Sequence, residues 1–384
     1  MFGIEAALYP KIFHGLVFVL CLFIVVKYSA SSNKGLLLQK QPVGPMIALG
    51  VLLILFIGLR PISGRVFGDT VNYAWTYNHP SALNFDIDFG KEWFFAVYFY
   101  FCKSLNLSVN LYFLGIEIGY IGCLLLACKK LLWESTWVAL LFCISAFSFF
   151  GYGVNGLRNG WACSMIVLAI TYVAQERKYA IAVILALLAL GIHRSVMLPI
   201  VACLGAIALL KMPKIAIGIW GGAIPISLMA GNRVTRFLAN LGFDDRMDAY
   251  KVIDLNESFS SSGFRWDFLL YSAMPVLLTW YVHKRVDETG GYREDGSTAL
   301  ADATSMRVFN ILSGTYILAN SFWVMVINAN FSNRFAYLSW FLYPVVLAYG
   351  FLRLHIWKDQ DRKCAWALFA HAGFTFGMFM IGKL

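Results

Sequence analysis

The sequence predicts an all-α, polytopic membrane protein, and three observations carry that prediction. The 384 residues are 60% hydrophobic and 14% charged, with a mean hydropathy of +0.68. A soluble globular chain carries roughly 25% charged residues, so this composition belongs in a bilayer. Apolar runs of spanning length recur along most of the chain. The short loops between alternate runs hold tight basic pairs, as cytoplasmic loops do. We therefore read 1–384 as a single transmembrane domain.

The runs fall at 8–27, 44–59, 107–128, 136–151, 160–175, 179–192, 195–210, 214–230, 266–283, 307–328, 334–353 and 364–381, which predicts about twelve transmembrane helices. The first is expected to be retained rather than cleaved, because its basic flank at Lys27 follows the apolar stretch instead of preceding it. Lys129-Lys130, Arg177-Lys178, Lys211 with Lys214, Lys284-Arg285 and Arg362-Lys363 mark one face as cytoplasmic. The opposite, outer face then receives both termini and two long polar loops, 60–106 and 231–265, each expected to carry short helices. Trp93–Cys102, short and aromatic, is expected to lie along the outer surface rather than cross. The stretch 284–306 reads as a solvated cytoplasmic loop.

The formal charge of +10 is spread over loops on both faces. Membrane topology accounts for it, and no nucleic-acid partner is expected. Cys21, Cys123, Cys128, Cys143, Cys163 and Cys203 sit in apolar runs without metal-ligand spacing and read as small hydrophobes. No metal and no cofactor are expected. P-loop, dinucleotide-binding, zinc-protease and serine-hydrolase signatures are all missing from the sequence, so nothing supports those chemistries.

The candidate chemistry gathers on the outer face. Arg60 and Arg65 precede Gly68-Asp69-Thr70, a turn that opens a helix on which Asp69, Tyr73 and Tyr77 share a face. A carboxylate beside two arginines stays ionised and can act as a base or orient a hydroxyl; the plainer alternative is a helix cap paired locally with Arg65. Asn155, Arg158 and Asn159 are expected on one helical face where another run begins. Arginine's planar fork matches phosphate oxygens, against the alternative of a side chain reaching for the interface. His193-Arg194-Ser195 breaks the apolar stretch from Ala180 to Leu210, with Gly191 expected to supply the turn. His193 can carry a proton near neutral pH or donate to a phosphate. Arg334, after Asn328-Ala-Asn330, is the next arginine on that side. Asp244-Asp245 in the second outer loop reads as a helix cap more readily than a metal site. Glu117 is a rare intramembrane acid that needs a buried polar partner. Cations collected at one mouth of a helical bundle form a receptor for an anion, and a lipid phosphate is the natural occupant.

Four of these places, in order, resemble the EpsG/Wzy-like family of bacterial polysaccharide polymerases: Gly68-Asp69-Thr70 with Tyr73, Asn155-x-x-Arg158, His193-x-Ser195, and Asn333-Arg334-Phe-Ala-Tyr337. The likeness spans about Arg60 to Tyr337, with Asn159 standing where the family often has Gln. The resemblance implies a GT-C-like membrane glycosyltransferase of O-antigen, exopolysaccharide or capsule synthesis in the bacterial inner membrane, its site facing the periplasm or exterior. Its donor and acceptor would be undecaprenyl-diphosphate-linked oligosaccharides, and its partners a flippase and a chain-length regulator. It implies a metal-free clamp on the leaving diphosphate, formed by Arg158, Arg334 and one or both of Arg60 and Arg65, with Tyr73, Asn155, Arg194 and Ser195 also binding substrate. Asp69 is the first choice of base and His193 the second. A ligase using the same donor, or a flippase of the lipid-linked unit, are the rival readings. The latter is disfavoured because no internal repeat is visible and the polar residues gather at one face.

Overall fold

A computed structural model describes residues 3–29, 43–79, 88–240, 264–328 and 332–382. Asp244-Asp245 and Asn330 lie outside them. Among the described residues every regular element is helical. In chain order the α-helices are α1 Tyr9–Ser29, α2 Val43–Gly58, α3 Gly64–Phe67, α4 Thr70–Asn78, α5 Trp93–Ser104 and α6 Val109–Leu131. There follow α7 Thr136–Ile144, α8 Phe149–Val154, α9 Leu157–Thr171, α10 Tyr179–Ile192, α11 Met197–Ala208 and α12 Lys214–Asn240. The last are α13 Trp266–Glu288, α14 Ala303–Met325, α15 Asn333–Trp340, α16 Tyr343–Arg353 and α17 Gln360–Met380.

All twelve apolar runs coincide with helices. By length and composition, 5 helical segments suffice to cross a membrane: Ala6–Tyr28, Val109–Leu131, Leu157–Glu176, Ala303–Met325 and Asn333–Arg353. Four shorter apolar helices accompany them: Gly44–Gly58, Tyr179–Ile192, Arg194–Ala208 and Lys214–Ala230. The protein is a multi-pass membrane protein. Two expected runs are not continuous helices. The 136–151 run breaks between α7 and α8, and the 334–353 run between α15 and α16. Both breaks are buried, which is where irregular backbone is tolerated at membrane depth. Ser145 covers one of them by donating its hydroxyl to the Leu141 carbonyl at 2.6 Å.

α14 lies at the centre, packed by α11, α12, α13, α15 and α16, while α6 and α9 pair and α1 lies on α17. The core between α13, α14, α15 and α16 is aromatic, with Trp323, Trp340 and Tyr316 fully buried. Hydrophobic burial does not drive helices together in lipid, so packing and interhelical hydrogen bonds must. Trp340 Nε1 donates to Ser272 Oγ and Tyr316 OH to the Ser272 carbonyl, each at 2.8 Å. Asn320 bridges Trp220 at 2.8 Å and Ser339 at 2.9 Å.

The expected surface helix is α5. Its 12 residues reach about 18 Å at 1.5 Å per residue, too short for a hydrocarbon core of about 30 Å. The basic turn at Arg177 closes a π-helical turn, Tyr172–Glu176. Arg307 caps that turn through the Val173 carbonyl at 3.0 Å.

Candidate functional site

The segment after α2 is fastened to the break between α8 and α9. α3 ends at Phe67 and Gly68 turns the chain with φ +53°, a region that disfavours side chains. A Cβ on Gly68 would lie 2.4 Å from Asn155 Oδ1, so glycine is required on two counts. The space is used by Asn155 Oδ1 itself, which accepts the Asp69 N–H at 2.8 Å. One residue on, Thr70 Oγ1 donates to the Val154 carbonyl at 2.5 Å. These bonds set α4 beside the start of α9, where Tyr73 OH accepts from Arg158 Nε at 2.9 Å.

Arg158 is half-buried. Its guanidinium lies over the rings of Tyr73 and Phe95, 5.6 and 5.7 Å from their centres. Its Nη1 pairs with Glu92 Oε2. The other oxygen of the same carboxylate, Oε1, meets His193 Nδ1, and His193 Nε2 is 3.3 Å from Ser195 Oγ. Glu92 therefore joins the two polar breaks of the sequence, at Arg158 and at His193, through one side chain. It stands immediately before α5, whose start packs flush on the end of α10 at Gly191. A Cβ there would lie 2.7 Å from Trp93 Cε2 and 2.8 Å from Phe94 Cβ.

Several expected residues fall in different surroundings. Arg60, expected in the anion clamp, is 1% exposed. It donates to the Ile57 carbonyl at 2.8 Å and to Thr70 Oγ1 at 2.9 Å, and lies 3.9 Å from Glu117. It is the partner Glu117 required, and it props the Thr70 turn from below instead of lining the mouth. Asn155, Arg158 and Asn159 do not share a helical face, because the chain breaks at Asn155–Gly156 between α8 and α9. Asn155 is exposed and holds the Asp69 turn, whereas Asn159 is buried and accepts from Cys163 Sγ at 3.3 Å. Tyr77 points inward and donates to the Leu107 carbonyl at 2.8 Å. Gly191 is not the turn before His193. It lies within α10, and its missing side chain admits α5.

Asp69 stands exposed at the residue before α4 without a side-chain capping bond, and its carboxylate accepts from Asn72 Nδ2 at 3.3 Å. Among the described residues no ion pair joins it to Arg65, which is also exposed. Arg194 is exposed beside the buried His193 and Ser195. Arg334 is exposed at the start of α15. One turn later Tyr337 accepts a hydrogen bond from Tyr152 of α8, their rings 5.4 Å apart. That contact ties Arg334's helix to the segment that ends at Asn155.

Glu92 is the residue that sequence reasoning missed. The only available signal was electrostatic: arginines held at helix mouths call for a counter-charge, and Glu92 opens the one helix expected to lie along that face.

The model of the EpsG family matches residues 45–382, nearly the whole chain. The chain belongs to the EpsG family. No curated protein and no solved structure matches it. EpsG membership points to a polysaccharide polymerase-type role, consistent with a glycosyltransferase that works on lipid-linked glycan in a bilayer.

Proposed function

We propose that this EpsG protein is a polysaccharide polymerase of the bacterial inner membrane. In this reading it moves a growing glycan from undecaprenyl diphosphate to the non-reducing end of an incoming lipid-linked repeat unit. The observation that carries it is the convergence of Tyr73, Glu92, Arg158 and His193 where α4, α5, α9 and the α10 end meet, beside the Asp69 turn. An acceptor hydroxyl attacks the anomeric carbon, the carbon–oxygen bond to the diphosphate breaks, and negative charge grows on the departing diphosphate. Fixed cations in a mouth partly shielded from water stabilise that charge most where it grows. Arg158 is the central cation in this scheme, and the exposed Arg65, Arg194 and Arg334 are the further candidates. A general base takes the hydroxyl proton, and Asp69 and His193 are its two candidates. A flippase supplying the lipid-linked unit and a chain-length regulator fit the same reading, with the mouth facing the periplasm.

The test is incubation of purified protein with a synthetic diphosphate-linked repeat unit alone. A ladder of lengthened products is expected, insensitive to EDTA, and lost in Arg158→Ala while the variant stays folded. A strict requirement for a divalent cation would overturn the arginine clamp. Unchanged substrate with folded wild-type protein would overturn the polymerase reading itself, and single transfer to a foreign acceptor would make the protein a ligase.

A further inference from the structure

We infer that Glu92 is a positioning residue that fixes the tautomer of His193 and so makes His193, rather than Asp69, the base of the transfer. The inference rests on the polymerase reading of the preceding section. Its geometry is the chain Arg158–Glu92–His193–Ser195. An ionised carboxylate only accepts hydrogen bonds. Glu92 Oε1 at His193 Nδ1 therefore requires the proton on Nδ1, so the neutral ring carries its lone pair on Nε2. That nitrogen faces Ser195 Oγ at 3.3 Å, a long contact for a hydroxyl donor. A sugar hydroxyl can displace it and give its proton to Nε2 as its oxygen bonds to the anomeric carbon. The diphosphate leaves with the bonding electrons, and the proton stays on the imidazole until solvent takes it.

The other oxygen of Glu92 holds Arg158. One carboxylate thereby sets the spacing between the cation that meets the leaving group and the base that meets the nucleophile. It also offsets the positive charge that His193 gains during the reaction. Asp69 lacks such support: it is exposed, and its carboxylate accepts only from Asn72 among the described residues. The carboxylate–imidazole–hydroxyl order is one that activates hydroxyls on unrelated folds, where the acid orients the ring and is not itself protonated.

The experiment compares wild type, Glu92→Gln and Glu92→Asp in the ladder assay, with ring-15N-labelled histidine read by NMR in the same preparations without substrate. Glu92→Gln keeps the shape and removes the charge. We expect turnover to fall roughly 10²–10⁴-fold with KM changed only a few-fold, and partial rescue in Glu92→Asp. The His193 ring should show a protonated Nδ1 in wild type and a mixture of tautomers in Glu92→Gln. A Glu92→Gln protein with wild-type turnover, or one whose loss lies wholly in KM, overturns the assignment, as does a wild-type ring protonated on Nε2. A wild-type protein that lengthens nothing overturns the polymerase reading instead, and the NMR arm still decides whether the carboxylate sets the ring.

Discussion

Arg60 and Glu117 lie 3.9 Å apart at full burial, yet neither oxygen of Glu117 nor Nε of Arg60 has a hydrogen-bond partner among the described residues. Each charge is tolerated there because the other is present, and Arg60 also satisfies the Ile57 carbonyl and Thr70. Removing one member strands the other, at a cost of about 3–5 kcal/mol, whereas replacing both with apolar side chains of similar volume is often near neutral. Arg60→Ala and Glu117→Ala should therefore each lower stability by that order in unfolding titrations in mixed micelles, and Arg60→Met with Glu117→Leu should recover most of it. Equal losses in the single and double variants would show that the charges are not what holds this place. Sequence alone showed that Glu117 needs a partner but not which one, because 56 residues of chain lie between it and Arg60. It placed Arg60 in the clamp since spacing says nothing of which side of a turn a side chain enters.

The helix that matters most to the site is also the least conspicuous. α5 is short, and it brings Glu92 to His193 only because α10 presents a glycine at the crossing. In an open helix Gly→Ala adds up to about 1 kcal/mol of stability. At Gly191 the added carbon would stand 2.7–2.8 Å from Trp93 and Phe94, so α5 must move away. A displacement of about 1 Å at a catalytic group can cost 10²-fold in rate. Gly191→Ala should accordingly cut the ladder rate at least tenfold, while Gly122→Ala, with nothing within 4 Å of the new carbon, should not. Wild-type rate in Gly191→Ala would separate α5 from the chemistry. The same scale explains the misread runs. Hydropathy cannot distinguish one span from two short buried helices, because the breaks in 136–151 and 334–353 are themselves buried and need only local hydroxyl or carbonyl partners.

For the molecule as a whole, the direction of the bundle expected from the basic pairs is open to a direct test. The segments around Asp69, Glu92, Arg158 and His193 meet at one end. At the other end of α9, Lys130 and Lys178 both pair with Glu176. Sidedness can be read with an impermeant maleimide, since the eight native cysteines are free and all but the half-buried Cys123 are buried, giving a low background. Arg65→Cys should label in intact cells and Arg177→Cys only after permeabilisation. The reverse pattern would turn the mouth to the cytoplasm and remove the periplasmic reading.

Composition and periodicity by themselves determined the helical membrane architecture and the breaks that carry polar residues. Those follow from the cost of leaving backbone groups unpaired in lipid, which acts on each segment locally. What only the tertiary structure decided is which polar residues meet. Arg60 went to Glu117 below the turn, Asn155 to the backbone of Asp69, and Arg158 and His193 to the two oxygens of Glu92. Partner choice among buried polar groups depends on where helices cross, and crossings are set by side-chain volume at a few contacts such as Gly191, which no local pattern in the sequence records.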